Sequence, residues 1–550
     1  IYLGGTFNDI TPLRSTTSAG DVTFSATNGS STITATDTSH GAVANDFVTF
    51  SGAATLGGLV TAAVLNQEYQ IATIVNANSY TFTAKDTSGN EVTANASDSG
   101  NGGGSTVGKY QINTGLNSTV FGTGWGTGTW GRGTWGSSST PTVSDTLRLW
   151  SHDNFGEDLI FNVRDGGIYY WDTSAKTLGT DRAVTLASLD TDSAIPTIAK
   201  QVLVSDRDRH IVAFGCDGET TIGTQDPLLI RFSDAESTTT WNALATNSAG
   251  ELRVGSGSEI ICAVETRQQI IVFTDSSLHA MQFLGPPFTF GISQVSENIT
   301  IMGPMAAKAV DDTIFWMGQE DFYVFDGRVQ KLPCAVRSYI FDDFNTAQNQ
   351  KVFAALNSTF DEVWWFYPSG DSTEIDKYVI YNYQEQAWSY GSLARTAWLD
   401  RGINDYPLAT GTDYYLYDHE FGLDDGSTNP PSAISSHVES SQVDIGDGEQ
   451  FVFIRRLIPD VTFGGSTATS PAATFTLKTR NFPGGAYLSS DDSTVTQSEA
   501  ATSTVVEQFT TQAFVRLRGR SFALRVASSA EQVQWRLGSP RVDIRPDGRQ

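Results

Sequence analysis

Three observations predict an all-β fold. Val, Thr, Tyr, Phe and Trp alternate with polar residues along the chain. The 3.6-residue recurrence of Ala, Leu, Glu and Lys that builds long helices is absent. Finally, 52 Gly among 550 residues, with only 17% charged, suit many strands joined by tight turns. A chain of this length exceeds one ordinary core. The expected architecture is a propeller-like body carrying a small inserted β-sandwich, followed by a C-terminal β-sandwich.

Residues 1–19, which open IYLGGTFNDITPLR, read as a strand and turn belonging to the body. Over residues 20–106 the composition shifts to Ala, Thr, Ser, Asn and Val, with the short alternating strands VTFSAT, STITAT, DFVTF, EYQIATIV and SYTFTA; this is the expected insertion. Its exit, Asp98-Ser-Gly-Asn-Gly-Gly-Gly-Ser, has the composition of a flexible linker. The stretch Gly122 to Gly136, GTGWGTGTWGRGTWG, is expected to be a loop in which Gly permits unusual φ angles and Trp125, Trp130 and Trp135 are anchors.

In the body, residues 107–423, one theme recurs: an apolar strand, a turn, then an aromatic strand ending at or beside Asp or Asn. Ile168-Tyr-Tyr-Trp-Asp172, Ile230-Arg-Phe-Ser-Asp234, Phe322-Tyr-Val-Phe-Asp326, Val379-Ile-Tyr-Asn-Tyr383 and Tyr414-Tyr-Leu-Tyr-Asp418 carry it, with Leu278-His-Ala-Met-Gln282 a less aromatic copy. Their ends lie 35 to 62 residues apart, which straddles the spacing of propeller repeats, and six units imply about six blades; a pair of β-sandwiches is the other arrangement they permit. A short helix is predicted over Leu332 to Phe344, where Pro333 suits a first turn and Val336, Ile340 and Phe344 share a face. After a linker at Asp424 to Pro431, the strands FVFIRRLIPDV, ATFTLKTR, AFVRLRGRSFALRV and VQWRLGSPRVDI predict the second sandwich, residues 432–550.

The net charge of -27 argues against a protein that grips nucleic acid through phosphate neutralisation. It is unevenly spread: residues 451–550 hold 12 basic and 8 acidic side chains, leaving 22 and 53 in residues 1–450. Such an acidic body keeps a large particle soluble, and it also repels a polyanion that slides past it. Cys216, Cys262 and Cys334 have no short spacing and are expected as small core residues, not as a disulfide or zinc framework. No run of 18 apolar residues occurs.

The search for chemistry finds no catalytic constellation. His40, His152, His210, His279, His419 and His437 are scattered without HExxH spacing. The doublets Asp342-Asp343, Asp361-Glu362 and Asp424-Asp425 are expected as solvated surface in a chain with 61 acidic residues. Gly126-x-Gly128-x-x-Gly131 lacks the strand, helix and acidic residue of a nucleotide fingerprint. Ser233 to Trp241 resembles a sialidase Asp-box only in part, with Asp and Gly misplaced. Trp316, Trp364, Trp365, Trp388 and Trp398 offer a sugar-stacking face, yet their place in strand repeats favours packing. Alternation puts Arg516, Arg518 and Arg520 on one side of a strand, where they suit phosphate or the acidic surface of a neighbouring copy. The chain is therefore read as a structural protein, not an enzyme, with no cofactor, metal or small-molecule substrate.

Several stretches resemble the tail nozzle, or hub, proteins of short-tailed bacteriophages, which include packaged-DNA stabilisation proteins. These are Asn8-Asp-Ile-Thr-Pro-Leu-Arg14, the Gly/Trp loop, RFSDAESTTTW at Arg231 to Trp241, Phe283-Leu-Gly-Pro-Pro-Phe288, Trp316-Met-Gly with Phe322-Tyr-Val-Phe-Asp-Gly327, Glu362-Val-Trp-Trp-Phe-Tyr-Pro368, Trp535-Arg-Leu-Gly538 and Arg541-Val-Asp-Ile-Arg-Pro-Asp-Gly548. The resemblance samples the chain from near its start to its end and omits residues 20–106. It implies a propeller carried on a homo-hexameric ring in the virion tail, below an adaptor protein and in reach of tail fibres. That ring would hold double-stranded DNA without specific binding and release it during infection. The alternative class is a receptor- or glycan-binding propeller of the tail.

Overall fold

Alternating apolar and polar side chains become alternating buried and exposed positions along most strands of the insertion and the C-terminal part, as in Thr32–Thr36 and Ala513–Gly519. The computed structural model describes residues 1–3, 5–56, 58–119, 147–190, 194–286, 288–402, 404–444, 448–481 and 501–548. Its strands pair antiparallel throughout the sheets, and the fold is all-β. Two compact units are present, Ile1–Leu416 and Tyr417–Gln550.

The inserted domain is a two-sheet sandwich. One sheet has five strands, Asp98–Asn101, Thr23–Ala26, Thr32–Thr36, Ser79–Thr83 and Thr73–Asn76 in spatial order; the other has four, Leu13–Thr16, Val107–Gln111, Phe47–Ser51 and Glu68–Gln70. Phe24, Phe50, Phe82, Tyr69 and Tyr80 fill the space between them. Its limits are wider than residues 20–106, because the flanking strands Leu13–Thr16 and Val107–Gln111 pair with each other inside its sheet. The residues ahead of them do join the body, since Ile10 packs on Phe161, Tyr169 and Trp171. The expected flexible exit is instead an edge strand paired with Thr23–Ala26. Gly102 then turns with φ +126°, and a Cβ there would lie 2.5 Å from the Phe24 ring, so this glycine serves close packing.

In the body, six antiparallel sheets follow one another among the described residues. The first runs Trp150–Phe155, Asp158–Val163, Ile168–Trp171, Val184–Thr185; the second Gln201–Val204, Ile211–Phe214, Leu229–Phe232, Gly250–Arg253. The third is Ile260–Glu265, Ile270–Thr274, Ser277–Gly285, Thr289–Glu297, and the fourth Ala307–Val310, Thr313–Met317, Phe322–Phe325, Val329–Leu332. Phe353–Asn357, Glu362–Tyr367, Lys377–Asn382 and Ala387–Ser392 make the fifth; Arg395–Leu399, Leu408–Gly411 and Leu416–Asp418 make the three-stranded sixth, in which the first unit ends. Each is a simple meander, every strand pairing with the one before it. The recurring aromatic segments of the sequence are, without exception, the third strands of these six sheets.

The predicted helix is shorter than its pattern. It spans Arg337–Asp342, so Pro333 lies in the loop before it, where its carbonyl accepts from the Trp388 indole at 2.8 Å. Ile340 and Phe344 are buried in the same cluster as Trp316 and Trp365, with Val336 packed against it, so the shared face is real although only part of it is helical.

The second unit is a sandwich of its own. Ser436–Glu439, Ser521–Ser528, Ala472–Arg480 and Ala501–Glu507 form one sheet, and Ala513–Gly519, Val452–Ile458 and Arg541–Pro546 the other. Leu457, Phe475 and Val526, then Ile454, Leu477, Leu517 and Phe522, are buried between them. The expected linker at Asp424 to Pro431 lies inside this unit: Asp424–Asp425 pairs with Ser432–Ala433.

Candidate interaction surfaces

Side-chain-to-backbone hydrogen bonds join successive sheets of the body. Ser151 and Asp153 of the first sheet accept from the backbone N–H groups of Val202 and Val204 in the second, at 2.9 and 2.8 Å. Gln201 makes two bonds to Ala263 in the third. The Trp365 indole donates to Ala306 O at 3.1 Å, and Trp398 to Leu356 O at 3.0 Å. Trp316 donates to Thr300 O at 3.2 Å. Trp364 stacks between Tyr378 and Trp398. The five tryptophans weighed as a sugar-stacking face thus pack within the body, Trp316, Trp364 and Trp365 buried and Trp388 and Trp398 half-buried, each placing its N–H on an acceptor.

The partial Asp-box is equally structural. Asp234 accepts from the backbone and hydroxyl of Ser248, and Trp241 is fully buried over Arg231, whose guanidinium donates to Asp217 O and Trp241 O. Beside this turn lies an open cleft of about 360 Å³ lined by Arg207, Asp208, Arg209, His210, Glu236 and Phe283 among others. Arg207 and Arg209 already lie over Phe283 and Phe155, and Asp208 and Glu236 balance their charge. His210 is buried with Nδ1 on Ser233 O. Of the acid doublets, Asp343 ends the helix on Lys377, Asp361 accepts from the Tyr383 hydroxyl, and Asp424 accepts from Gln532 N.

One acidic feature emerges only in three dimensions. The turn between the first and second strands, or the strand residue flanking it, is acidic in every body sheet: Glu157 and Asp158, Asp206 and Asp208, Glu265, Asp311 and Asp312, Asp361 and Glu362, Asp400 and Asp405. Four successive pairs of these turns are in contact: Arg209 of the second lies over Phe155 of the first, Asp206 N donates to Glu265 Oε1 of the third, Arg267 of the third pairs with Asp311 of the fourth at 2.7 Å, and Ser358 N of the fifth donates to Asp400 of the sixth. Burial, with Asp206 and Asp153 close by, pushes the Glu265 carboxyl up to about 7. Burial, the bond to Asp361 and the nearby charges of Asp311 and Asp400 push the Tyr383 hydroxyl up to about 12. The result is an acidic collar with four interspersed arginines, Arg207, Arg209, Arg267 and Arg401.

One face of the second unit presents the opposite sign. On the outward face of its three-stranded sheet, Arg518, Phe453 and Arg545 share one row; Phe514, Arg456 and Asp543 share another; Ile458 lies opposite Arg541. Arg516 projects from the same face of Ala513–Gly519, where buried and exposed positions alternate. Arg518 pairs with Asp547, and Arg456 with Asp543 at 3.5 Å. Arg516, Arg541 and Arg545 are exposed and without a polar partner among the described residues. Arg520, expected beside Arg516 and Arg518 by alternation, lies instead in the turn past the strand end. There its guanidinium donates to Glu449 O, and it shares the Phe451 ring with Arg518, at 4.6 and 4.1 Å from the centroid. Trp125, Trp130 and Trp135, named as loop anchors, lie outside the described residues. Arg541 and Arg545 were missed as candidates because the pairing that brings them beside Ala513–Gly519 runs through a third strand.

No family model matches the chain, and no curated protein matches it. Among solved structures it is similar to the phage phi92 endosialidase, at 11% identity over 83% of this chain and 67% of that one, with a TM-score of 0.18. It is also similar to the N-terminal domain of Nup159, at 10% identity over 40% of this chain and 73% of that one, with a TM-score of 0.22. At such TM-scores these likenesses carry no statement about chemistry.

Proposed function

We propose that this chain is a structural subunit of a bacteriophage tail, the nozzle or hub, whose copies form a ring, of six subunits, that retains packaged double-stranded DNA and conducts it during ejection. The observation that carries this reading is the run of six meander sheets sewn by side-chain-to-backbone seams, each holding its aromatic segment as third strand. Such a run suits a propeller wall that resists distortion. Two of the stretches that resemble nozzle proteins meet this framework: RFSDAESTTTW starts on the third strand of the second sheet, and EVWWFYP covers the second strand of the fifth.

The acidic collar adds a physical role. DNA passing a surface of like charge releases few counterions there, so it slides without adhering. The glycan-binding alternative loses its aromatic platform to the seams. The reading is tested by labelling intact particles with an antibody raised against this chain and by imaging the purified chain mixed with the tail adaptor. Label at the tail tip and rings on the adaptor are the expected results; label on the capsid, or no adaptor complex, overturns it.

A further inference from the structure

The arginine face has the composition of an interface. Arg516, Arg541 and Arg545 point outward without polar partners among the described residues, and Phe514, 68% exposed, with Ile458 stands between them. Arginine and aromatic side chains on one rigid sheet are the usual anchors of protein–protein contacts. Ala513–Gly519 is also an edge strand of its sheet. Charge narrows the occupant. The first unit, Ile1–Leu416, holds 22 basic and 45 acidic residues, while the second holds 12 and 16, and the collar of the first exposes Glu157, Asp206, Asp311, Asp312 and Asp405.

We propose that the arginine face of the second unit docks on the acidic collar of another copy of this chain. The contact joins two different patches, so it is head-to-tail, and repetition either closes it into a ring or extends it as a filament. Guanidinium forks meet carboxylates held on stiff turns, where two-pronged pairing is available. Phe514 and Ile458 exclude water around those pairs. Because both patches are exposed and charged, the contact weakens as salt screens it. This inference rests on the self-assembling ring proposed above and names the surfaces that build it.

The test uses the full chain and three variants in sedimentation velocity at about 0.05 M and about 0.5 M salt, bracketing strong and weak screening. The first variant carries Arg516→Glu, Arg541→Glu and Arg545→Glu; the second carries Glu157→Lys, Asp312→Lys and Asp405→Lys; the third carries all six. Unchanged thermal midpoints establish that each folds. The expected result is salt-sensitive, concentration-dependent assembly of the unsubstituted chain, at least tenfold weaker in either triple variant and restored in the sixfold one. If both triple variants assemble like the unsubstituted chain, this contact is wrong while the ring reading stands. A chain that stays monomeric alone overturns the contact and leaves the ring to the adaptor experiment. If the arginine variant instead loses binding to a short DNA duplex with assembly untouched, the face belongs to nucleic acid and the proposal fails.

Discussion

Gln201, in the first strand of the second sheet, reads the backbone of Ala263 in the third as a paired strand would: its amide nitrogen donates to Ala263 O and its amide oxygen accepts from Ala263 N, both at 2.8 Å. One side chain thus satisfies both polar groups of a residue on a facing sheet, where an unpaired backbone group would be costly.

Gln201→Leu leaves that N–H and carbonyl unpartnered at a seam of similar volume. A loss of about 2 to 4 kcal/mol is expected from two part-buried groups. Urea unfolding followed by tryptophan fluorescence measures it; a change below about 0.5 kcal/mol, the level of a neutral surface substitution, would show the seam to be unimportant.

Glu265 makes the collar sensitive to pH. Its carboxyl is raised from 4.5 to about 7, so the native state holds a proton that the unfolded chain has already released. Its stabilising contribution is complete below about 4.5 and is lost as pH rises through about 7. Glu265→Gln keeps an acceptor for Asp206 N and removes the penalty. The variant's melting temperature is expected to gain on the parent by about 2 °C between pH 5 and pH 8, and a gain in the opposite direction would refute the assignment.

The thiols give a test of core integrity. Burial pushes Cys216 and Cys262 up to about 12 and the half-buried Cys334 up to about 11. Thiolate is the reactive form. Iodoacetamide near neutral pH is therefore expected to leave the native chain unmodified and to add three labels in denaturant, as read by intact mass; rapid native labelling of Cys216 would mean that the second sheet opens.

Gly102→Ala probes the insertion. The new methyl meets Phe24 at 2.5 Å in a backbone conformation that disfavours a side chain. A cost of about 1 to 3 kcal/mol is expected. Thermal unfolding of the variant shows it, and an unchanged transition would place the Gly102 turn away from the Phe24 ring.

Sheet membership was legible where side chains announce it. The aromatic segments marked third strands most plainly where the strand is buried on both faces and apolar throughout, as in Ile168–Trp171, whereas Leu416–Asp418 is only half-buried. The insertion's limits were not legible: Leu13–Thr16 carries an ordinary Leu-Arg-Ser-Thr, and Asp98–Asn101 pairs through its backbone, which glycine supplies as well as any residue. Pro333 misled because a first-turn preference says where a helix is permitted to begin, not where packing of Ile340 holds it. The collar was invisible because its turns stand tens of residues apart and only the stacking of sheets brings them together. Alternation placed Arg516 and Arg518 correctly and overran at Arg520, since the strand stops at Gly519.

Ser15 and Tyr110 face each other across two paired strands, so the chain enters and leaves the insertion through adjacent doors. The body therefore sees the inserted domain as a socket sees a plug: whatever folds between those two strands inherits the same position, and a differently shaped module could be exchanged there without relaying any of the six sheets.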